Sequence, residues 1–508
     1  MLPLLVAGGL VLWNAQATAL GLLSDDAFYY LEIARSIVRG EGSSFDGISS
    51  TNGYHPLWML VMVAACALAG EGLLAPVCAM ILVSAVVCGA TLALVAAVTE
   101  RWAAPGFGAL ALAACLLPNL LTAMSNGLET ALVLLTVFAW AWWVYRCEGL
   151  GWSAPARSNF TTGLWLGLIF LARLDSAFVV LAAGALFFAA GIVARVPWAD
   201  LVRRSLVLVA GVLVFAAPYF LWCHAQFGTL SPISGRVKSS FPDLRARLGL
   251  DGDMRLGLTL VALDLLLAAA VFAFDRRRGR PVPALLVTPL TILAVGSALH
   301  FGYTFLYMSW GVYWWHFVVY GAAFVLGVAQ AAHRASLAWP RSRAVWKLGL
   351  PALIAASGVA LQANIVAHRT ESHREWFQAA AWAREHTDED SVFALKDAGL
   401  FGYFSARRVI NLDGKANGYD YLERLERGEV LAYLEEHGTD YVADINALHV
   451  EGRALIRLPR ARQPALTIWM SSEQEVYRGR TFPRRRLAFE RADEAHFAIW
   501  KFAGRSDK

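Results

Sequence analysis

Two adjacent carboxylates, Asp25 and Asp26, follow directly on the first apolar segment of the chain. Acidic side chains where a membrane helix meets water are costly beside lipid and normally face a cavity or pathway. The pair opens a polar, glycine-rich loop that runs through Gly42-Ser43-Ser44-Phe45-Asp46-Gly47 to Thr51-Asn52-Gly53-Tyr54-His55-Pro56-Leu57-Trp58. A loop of this size between apolar segments reads as working surface rather than linker. A second set of groups is basic: Arg236, Lys238, Arg245, Arg247 and Arg255 lie between His224 and Leu256, against Asp243, Asp251 and Asp253. Their sharper reading is a clamp for a phosphate at the membrane surface. Pairing with those acids or with lipid headgroups is the alternative. The run Gly228-Thr229-Leu230-Ser231-Pro232-Ile233-Ser234-Gly235 leading into Arg236 and Lys238 favours an ordered site, because Pro and Gly constrain its path.

The elements that must position these groups are membrane helices. Hydrophobic residues make up 57% of the 508 and charged ones only 16%, with a mean hydropathy of +0.49; a soluble globule carries about 25% charged residues. Apolar blocks near the roughly 20 residues a span needs recur from Leu2 to Ala367. With the N-terminus inside, spans are predicted near 3–23, 76–99, 104–122, 128–145, 160–172, 176–194, 205–223, 258–274, 282–303, 313–332 and 347–366. The inside loops then collect Arg101; Arg146 and Arg157; Arg195, Arg203 and Arg204; Arg276, Arg277, Arg278 and Arg280; and Arg334, Arg341, Arg343 and Lys347, as inside loops should. The outside turns at 123–127 and 304–312 hold no Lys or Arg. Pro56 to Gly70 is short for a span, and counting it would invert every later loop. It is read as a juxtamembrane or re-entrant helix on the outer face. Ala15-Gln16-Ala17 has the form of a signal-peptidase site, but no positive segment precedes it, so the first helix is read as uncleaved.

From His368 onward the texture changes to dense charge. Short β-rich runs (Ser391 to Leu395, Arg408 to Leu412, Tyr441 to Ala443) alternate with helical patterns at Glu371 to Glu385 and Asp420 to His437. This predicts a small α/β or α+β domain. The expected organisation is a helical membrane domain over 1–367, with a first outer loop at 24–56 and a basic outer loop at 224–257, then an extracytoplasmic α/β domain over 368–508. The six cysteines all precede that domain, lack metal-ligand spacing and read as packing residues. There is no P-loop, dinucleotide fingerprint or nucleic-acid signature.

Taken together, the motifs resemble the GT-C superfamily of polytopic glycosyltransferases, in particular bacterial members related to the aminoarabinose, protein O-mannosyl and arabinofuranosyl transferases. The residues that carry the resemblance are Asp25-Asp26-Ala27-Phe28-Tyr29-Tyr30 and Asn52-Gly53-Tyr54-His55-Pro56-Leu57-Trp58. Supporting matches are Gly127-Leu128-Glu129-Thr130, Arg173-Leu174-Asp175, and Phe227-Gly228-Thr229-Leu230-Ser231-Pro232 with its downstream Lys238. The resemblance implies about 11 transmembrane helices plus a juxtamembrane helix and a C-terminal extracytoplasmic domain. It further implies transfer of a sugar from a polyprenyl-phosphate donor, with inversion, to an envelope glycan, lipid or protein acceptor on the outer face of a bacterial cytoplasmic membrane. The second position of the acidic pair is often Glu in that group, so Asp25-Asp26 departs mildly from it.

Such chemistry must deprotonate an acceptor hydroxyl, align it and stabilise charge on a departing phosphate. On this reading Asp25 is the base, and Asp26 holds the acceptor or raises the proton affinity of Asp25; capping of a short helix by the pair is the plainer alternative. Lys238 and Arg236 are the expected phosphate ligands and Arg173 a third, although Arg173 and Asp175 also allow a simple internal ion pair. His55 reads either as a contact to acceptor or phosphate or as a turn residue. Glu129 reads as a substrate contact or a helix cap, and Tyr29 and Tyr54 join the substrate-binding set. The aromatic run Tyr303, Phe305, Tyr307, Trp310, Tyr313, Trp314 and Trp315 reads first as an interfacial belt, with sugar stacking second. Two adjacent acids without a third make a poor cage for a divalent cation. No obligatory metal is expected, though some members of the group use one. A carrier or flippase for lipid-linked sugars and a non-catalytic envelope scaffold stay as alternatives; no internal repeat of the kind many carriers show is evident.

Overall fold

The computed structural model describes residues 2–147, 150–244, 250, 252–445, 448–450, 453–471, 474–484 and 493–502. Arg245, Arg247 and Asp251 of the basic loop lie outside them. Helix α1 (Leu2–Leu22) leads into the short α2 (Asp25–Val38) and α3 (Pro56–Ala69), which flank the polar loop. There follow α4 (Leu74–Val98), the pair α5 (Gly108–Cys115) and α6 (Pro118–Ser125), α7 (Thr130–Cys147), α8 (Ala156–Ala172), α9 (Ala177–Val193) and α10 (Trp198–Phe227). The short α11 (Ile233–Lys238) precedes α12 (Gly252–Arg277), α13 (Val282–Leu286), α14 (Pro289–Tyr307), α15 (Val318–Ala338) and α16 (Leu350–His386).

Nine helices among the described residues are long and apolar enough to cross a membrane, ten if the α5–α6 pair, bent by 73°, counts as one. Pro118 in the first turn of α6 explains the break, since it has no backbone N–H to continue the hydrogen-bond ladder of α5. Helix α8, with 17 residues, stands where the remaining span was predicted and lies at the lower limit of spanning length. This is a multi-pass membrane protein. Leu206, Leu213, Leu221, Leu266 and Leu353 point outward from their helices, as lipid-facing positions do. Contact between α8 and α10 depends on Gly163 and Gly211: a Cβ at either would meet backbone oxygens of the other helix at 2.2 and 2.3 Å. Small residues of this kind let membrane helices pack backbone to backbone.

Helix α3 is short, as its sequence predicted. Its 14 residues extend about 21 Å at 1.5 Å per residue, against a hydrocarbon core of ~30 Å. Trp58 and Met62 are buried, while Leu60 and Leu68 face outward.

Helix α16 runs unbroken across the expected boundary at 367/368. Its first half presents apolar residues outward, whereas Ala379, Ala380 and Ala383 are buried. Arg369 donates to the Leu22 carbonyl (2.6 Å) and His373 lies 3.0 Å from the Leu20 carbonyl, satisfying the open end of α1.

Beyond α16 come β1 (Val392–Leu395), α17 (Gly399–Ser405), β2 (Arg408–Asn411), α18 (Tyr419–Arg427), α19 (Val430–Glu436) and β3 (Tyr441–Ile445). Strands β4 (Leu448–Val450), β5 (Arg453–Leu458) and β6 (Leu466–Ser471) form an antiparallel three-stranded sheet. Strands β7 (Glu475–Arg478), β8 (Phe482–Arg484), β9 (Asp493–Ala495) and β10 (Phe497–Lys501) complete the set, β8 pairing with β9. The main sheet has the order β2-β1-β3-β10-β7, with β1 parallel to both β2 and β3 and β10 antiparallel to β3 and β7. Both of its faces are covered. Val392 and Ala394 pack with Tyr421 and Leu434 of α18 and α19, while Phe393 and Leu395 join the core that continues into the membrane helices. Strands buried on both faces read as unbroken apolar runs, as β1 does.

Candidate active site

Asp25 and Asp26 occupy the first turn of α2, where neighbouring side chains diverge by about 100°. The divergence sends them to different partners. Asp25 accepts hydrogen bonds from the backbone N–H groups of Gly399 (3.2 Å) and Leu400 (2.7 Å), at the start of α17. It therefore caps a helix of the C-terminal domain from across the interface. Burial pushes its carboxyl well above the usual carboxylate range, with Asp397 and Asp26 adding to the rise. One turn on, the Tyr29 hydroxyl accepts from the N–H of Ala398 (2.6 Å) and from Asn411 Nδ2 (2.9 Å). Asp25 and Tyr29 are thus docking contacts for the second domain.

Asp26 faces another way. Its side chain is 35% exposed and lies 3.8 Å from Lys415 Nζ. The same ammonium stands 3.6 Å from Asp397 and 3.1 Å from Asp413. Burial opposes the charge of Lys415, but Asp413, Asp26 and Asp397 together hold its ammonium well above the ordinary lysine range. Two residues of the polar loop between α2 and α3 bring these groups together. A Cβ on Gly53 would meet the Lys415 carbonyl at 1.9 Å, so only glycine lets the chains touch there. Asn52 Oδ1 accepts from the Ile233 N–H (2.9 Å) and the Tyr419 hydroxyl (3.1 Å), joining α11 to α18.

Helix α11 carries the expected phosphate ligands. The Lys238 carbonyl accepts from the Ser309 N–H (3.1 Å) and hydroxyl (3.2 Å), which fixes the backbone. The Lys238 ammonium has no carboxylate at ion-pair distance among the described residues. Burial, the nearby Lys415 charge and Arg173 depress its proton affinity, while Asp26 opposes them. Lys238 therefore feels the charges of Asp26 and Lys415 as well as that of Arg173. Arg236 is exposed and lies over the Tyr419 ring at 5.7 Å.

The remaining candidates form a second, closed cluster. Arg173 is 3% exposed and grips Asp175 with Nε and a terminal nitrogen (2.9 Å each), while its other terminal nitrogen meets Glu129 at 2.6 Å. Glu129 also accepts from the Tyr30 hydroxyl (2.9 Å). His55 Nδ1 accepts from the Leu174 N–H (3.1 Å), so its Nε2 carries the proton, 3.5 Å from Glu129. Burial holds His55 below the usual histidine range, with Glu129 working against it. His300 Nε2 lies 3.8 Å from Asp175 and its Nδ1 2.8 Å from the Tyr320 hydroxyl. Glu129 thus has ion-pair partners, and Arg173–Asp175 is an ion pair. Tyr54 stands apart from both clusters, bonded to Ser43 (2.9 Å).

The aromatic run divides. Trp310 is buried against Ile233, Val237 and Leu422, bridging α11 to the C-terminal domain, whereas Tyr313 is 40% exposed and stacks on Trp315 at 4.5 Å. Among the described residues no three His, Cys, Asp or Glu side chains are placed as metal ligands. A separate cavity, lined by Trp102, Tyr145, Asp275, Arg280, Gln330 and Arg334, lies at the opposite end of the bundle.

Asp397, Asp413 and Lys415 were not among the candidates drawn from the sequence. The signal was faint but present: they follow immediately on two runs read as strands. In sheets with parallel strands, ligands gather at the carboxyl ends of those strands.

Residues 363–493 match a family model described as a domain of unknown function (DUF8728). No curated protein matches the chain. Among solved structures, ArnT from Cupriavidus metallidurans in the apo state is similar at 14% identity over 91% of this chain and 98% of that one, with a TM-score of 0.53. The same protein bound to undecaprenyl phosphate gives 13% identity, equal coverage and a TM-score of 0.52. The apo oligosaccharyltransferase of Archaeoglobus fulgidus is a weaker likeness at 11% identity, 83% and 66% coverage and a TM-score of 0.49. The likeness to ArnT runs through membrane helices and C-terminal domain alike, and the chain has the GT-C fold.

Proposed function

We propose that this protein is a membrane glycosyltransferase that moves a sugar from a polyprenyl-phosphate donor to an acceptor hydroxyl on the outer face of the membrane. The observation that carries this reading is Lys238, a half-buried cation with no carboxylate at pairing distance among the described residues, next to a carboxylate that is open to solvent. Such a cation calls for an anionic ligand, and one seated between membrane helices and an outer domain suits a lipid phosphate. That the neighbour of like fold was solved with undecaprenyl phosphate supports the same class of donor.

In this reaction the acceptor oxygen attacks the anomeric carbon as its bond to the phosphate oxygen breaks, inverting the centre. The acceptor proton passes to Asp26, and the charge left on the polyprenyl phosphate falls to Lys238. Asp26 is preferred to Asp25 because both oxygens of Asp25 are occupied by α17. Arg236, exposed beside Lys238, is a second phosphate contact. Arg173, Asp175 and Glu129 satisfy one another and hold His55 at the rim, so they support the phosphate site rather than bind in it. Tyr29 and Tyr54 brace the loop. The acceptor is a glycan, lipid or protein hydroxyl of the cell envelope, and the membrane a bacterial cytoplasmic one.

The test uses full-length protein in lipid nanodiscs, polyprenyl-phosphate sugars and an envelope extract, with release of free polyprenyl phosphate followed by mass spectrometry. Wild type should release it, while Asp26→Asn and Lys238→Met should not. Equal release from wild type and Asp26→Asn would remove Asp26 as the base. A wild type that binds donor without releasing phosphate would favour a carrier or a scaffold.

A further inference from the structure

We infer that the C-terminal domain completes the catalytic centre, with Lys415 a positioning residue that holds Asp26 and Asp397 as a carboxylate pair aimed at the acceptor hydroxyl. The inference rests on the transferase reading above and assigns a task to a segment that matches only a domain of unknown function.

The carboxylates around Lys415 arrive on three separate elements: Asp26 on α2, Asp397 after β1, and Asp413 after β2. Their exposures are graded. Asp413 is 4% exposed and Lys415 14%, whereas Asp26 and Asp397 reach 35% and 44%. Lys415 therefore lies behind the two open carboxylates, where it cannot be the group that meets a substrate first. Asp397 is held at φ 43°, in the left-handed region that a non-glycine residue adopts at a cost. Strain at the carboxyl end of a strand, on a side chain turned toward the opening, is what a placed functional group looks like.

Docking alone does not account for the cluster. The domain is already fastened by Asp25 on α17, by Tyr29 on Ala398 and Asn411, and by Asn52 on Tyr419. Phe28 adds ring contacts with Tyr403 and Phe404 at 5.8 and 5.4 Å. None of these contacts needs Lys415 or Asp397. The charged and titratable groups that act on Asp26 are Asp25, Tyr313, Lys238 and Lys415, and Asp397 and Asp413 share the Lys415 ammonium with it. The acids outnumber the cations. Without the Lys415 ammonium, mutual repulsion would draw protons onto the carboxylates, and a protonated Asp26 cannot accept one from the acceptor.

The experiment is the nanodisc assay with Lys415→Met, Lys415→Arg and Asp397→Asn, taken across pH with donor KM and kcat separated. Lys415→Met should lower kcat about a hundredfold, leave the donor KM unchanged and move the acidic limb of the pH profile upward. Lys415→Arg should restore the position of that limb, and Asp397→Asn should lower kcat without altering the melting temperature. If Lys415→Met fails to fold, the latter two variants decide the matter. Wild-type kcat and pH limb in Lys415→Met, or wild-type kcat in Asp397→Asn, would overturn the inference while the transferase reading stands. An inactive wild type would remove that reading and this inference with it.

Discussion

Arg173 and Lys415 are both cations gripped by several carboxylates, yet the two clusters differ in what they leave over. Around Arg173 the groups are saturated: Asp175 and Glu129 take the guanidinium, Tyr30 and His55 close on Glu129, and Glu129 is 4% exposed. Around Lys415 the carboxylates are in excess and two of them open outward. Lys238 is the complementary case of a cation without a carboxylate at pairing distance among the described residues. A closed network fixes geometry; an open one keeps binding capacity for something not yet present. The same residue types serve both ends because completeness of pairing, rather than residue type, separates them.

The contrast can be broken or sharpened experimentally. Asp26→Asn should cost about 10²–10⁴ in kcat with little change in melting temperature. Asp25→Ala should do the reverse, loosening α17 by about 1 kcal/mol as a lost cap, read as faster proteolysis of the C-terminal domain. Equal kinetic losses from both would erase the distinction drawn between the neighbours. Arg173→Met should destabilise by about 3–5 kcal/mol, because it strands buried Glu129 without its cation. A melting temperature near wild type would show that the closed cluster is less essential than its geometry implies. Gly53→Ala pushes a methyl onto the Lys415 carbonyl and should cost about 1–3 kcal/mol. Separated α2-loop and C-terminal contacts, seen by hydrogen exchange, would register it.

The smallest effect is a pH dependence. Lys238 has a depressed proton affinity, so its ammonium is lost at lower pH than the ~10.4 of an ordinary lysine. Donor affinity should fall as pH rises through that lowered value, by about tenfold per unit beyond it. Stability moves oppositely: the folded state prefers the neutral amine, so losing the proton relieves the cost of the buried charge. Lys238→Arg should retain donor binding to higher pH, and a donor KM titration checks both.

Much of the fold was legible because hydropathy and charge act locally. Span lengths, the short helix Pro56–Ala69 and the alternating elements of the second domain follow from runs of residues adjacent in the chain. The boundary at 367/368 was less legible, since α16 changes environment without changing secondary structure. For the site, the acidic loop, the Lys238 run and the Arg173-Leu174-Asp175 motif were visible, and their placement on one end of the bundle follows from topology. The order within the acidic pair was not. A helix makes Asp25 and Asp26 diverge, but which one meets α17 depends on where α17 lies.

By itself, then, the sequence determined that this is a polytopic membrane protein with an appended sheet domain and a polar, acidic first loop, because those properties are sums over neighbouring residues. Only the tertiary structure decided which charges are spent and which remain available. Lys415 reaches Asp26 across about three quarters of the chain, and a pairing set by interatomic distance between remote segments leaves no trace in local composition or spacing.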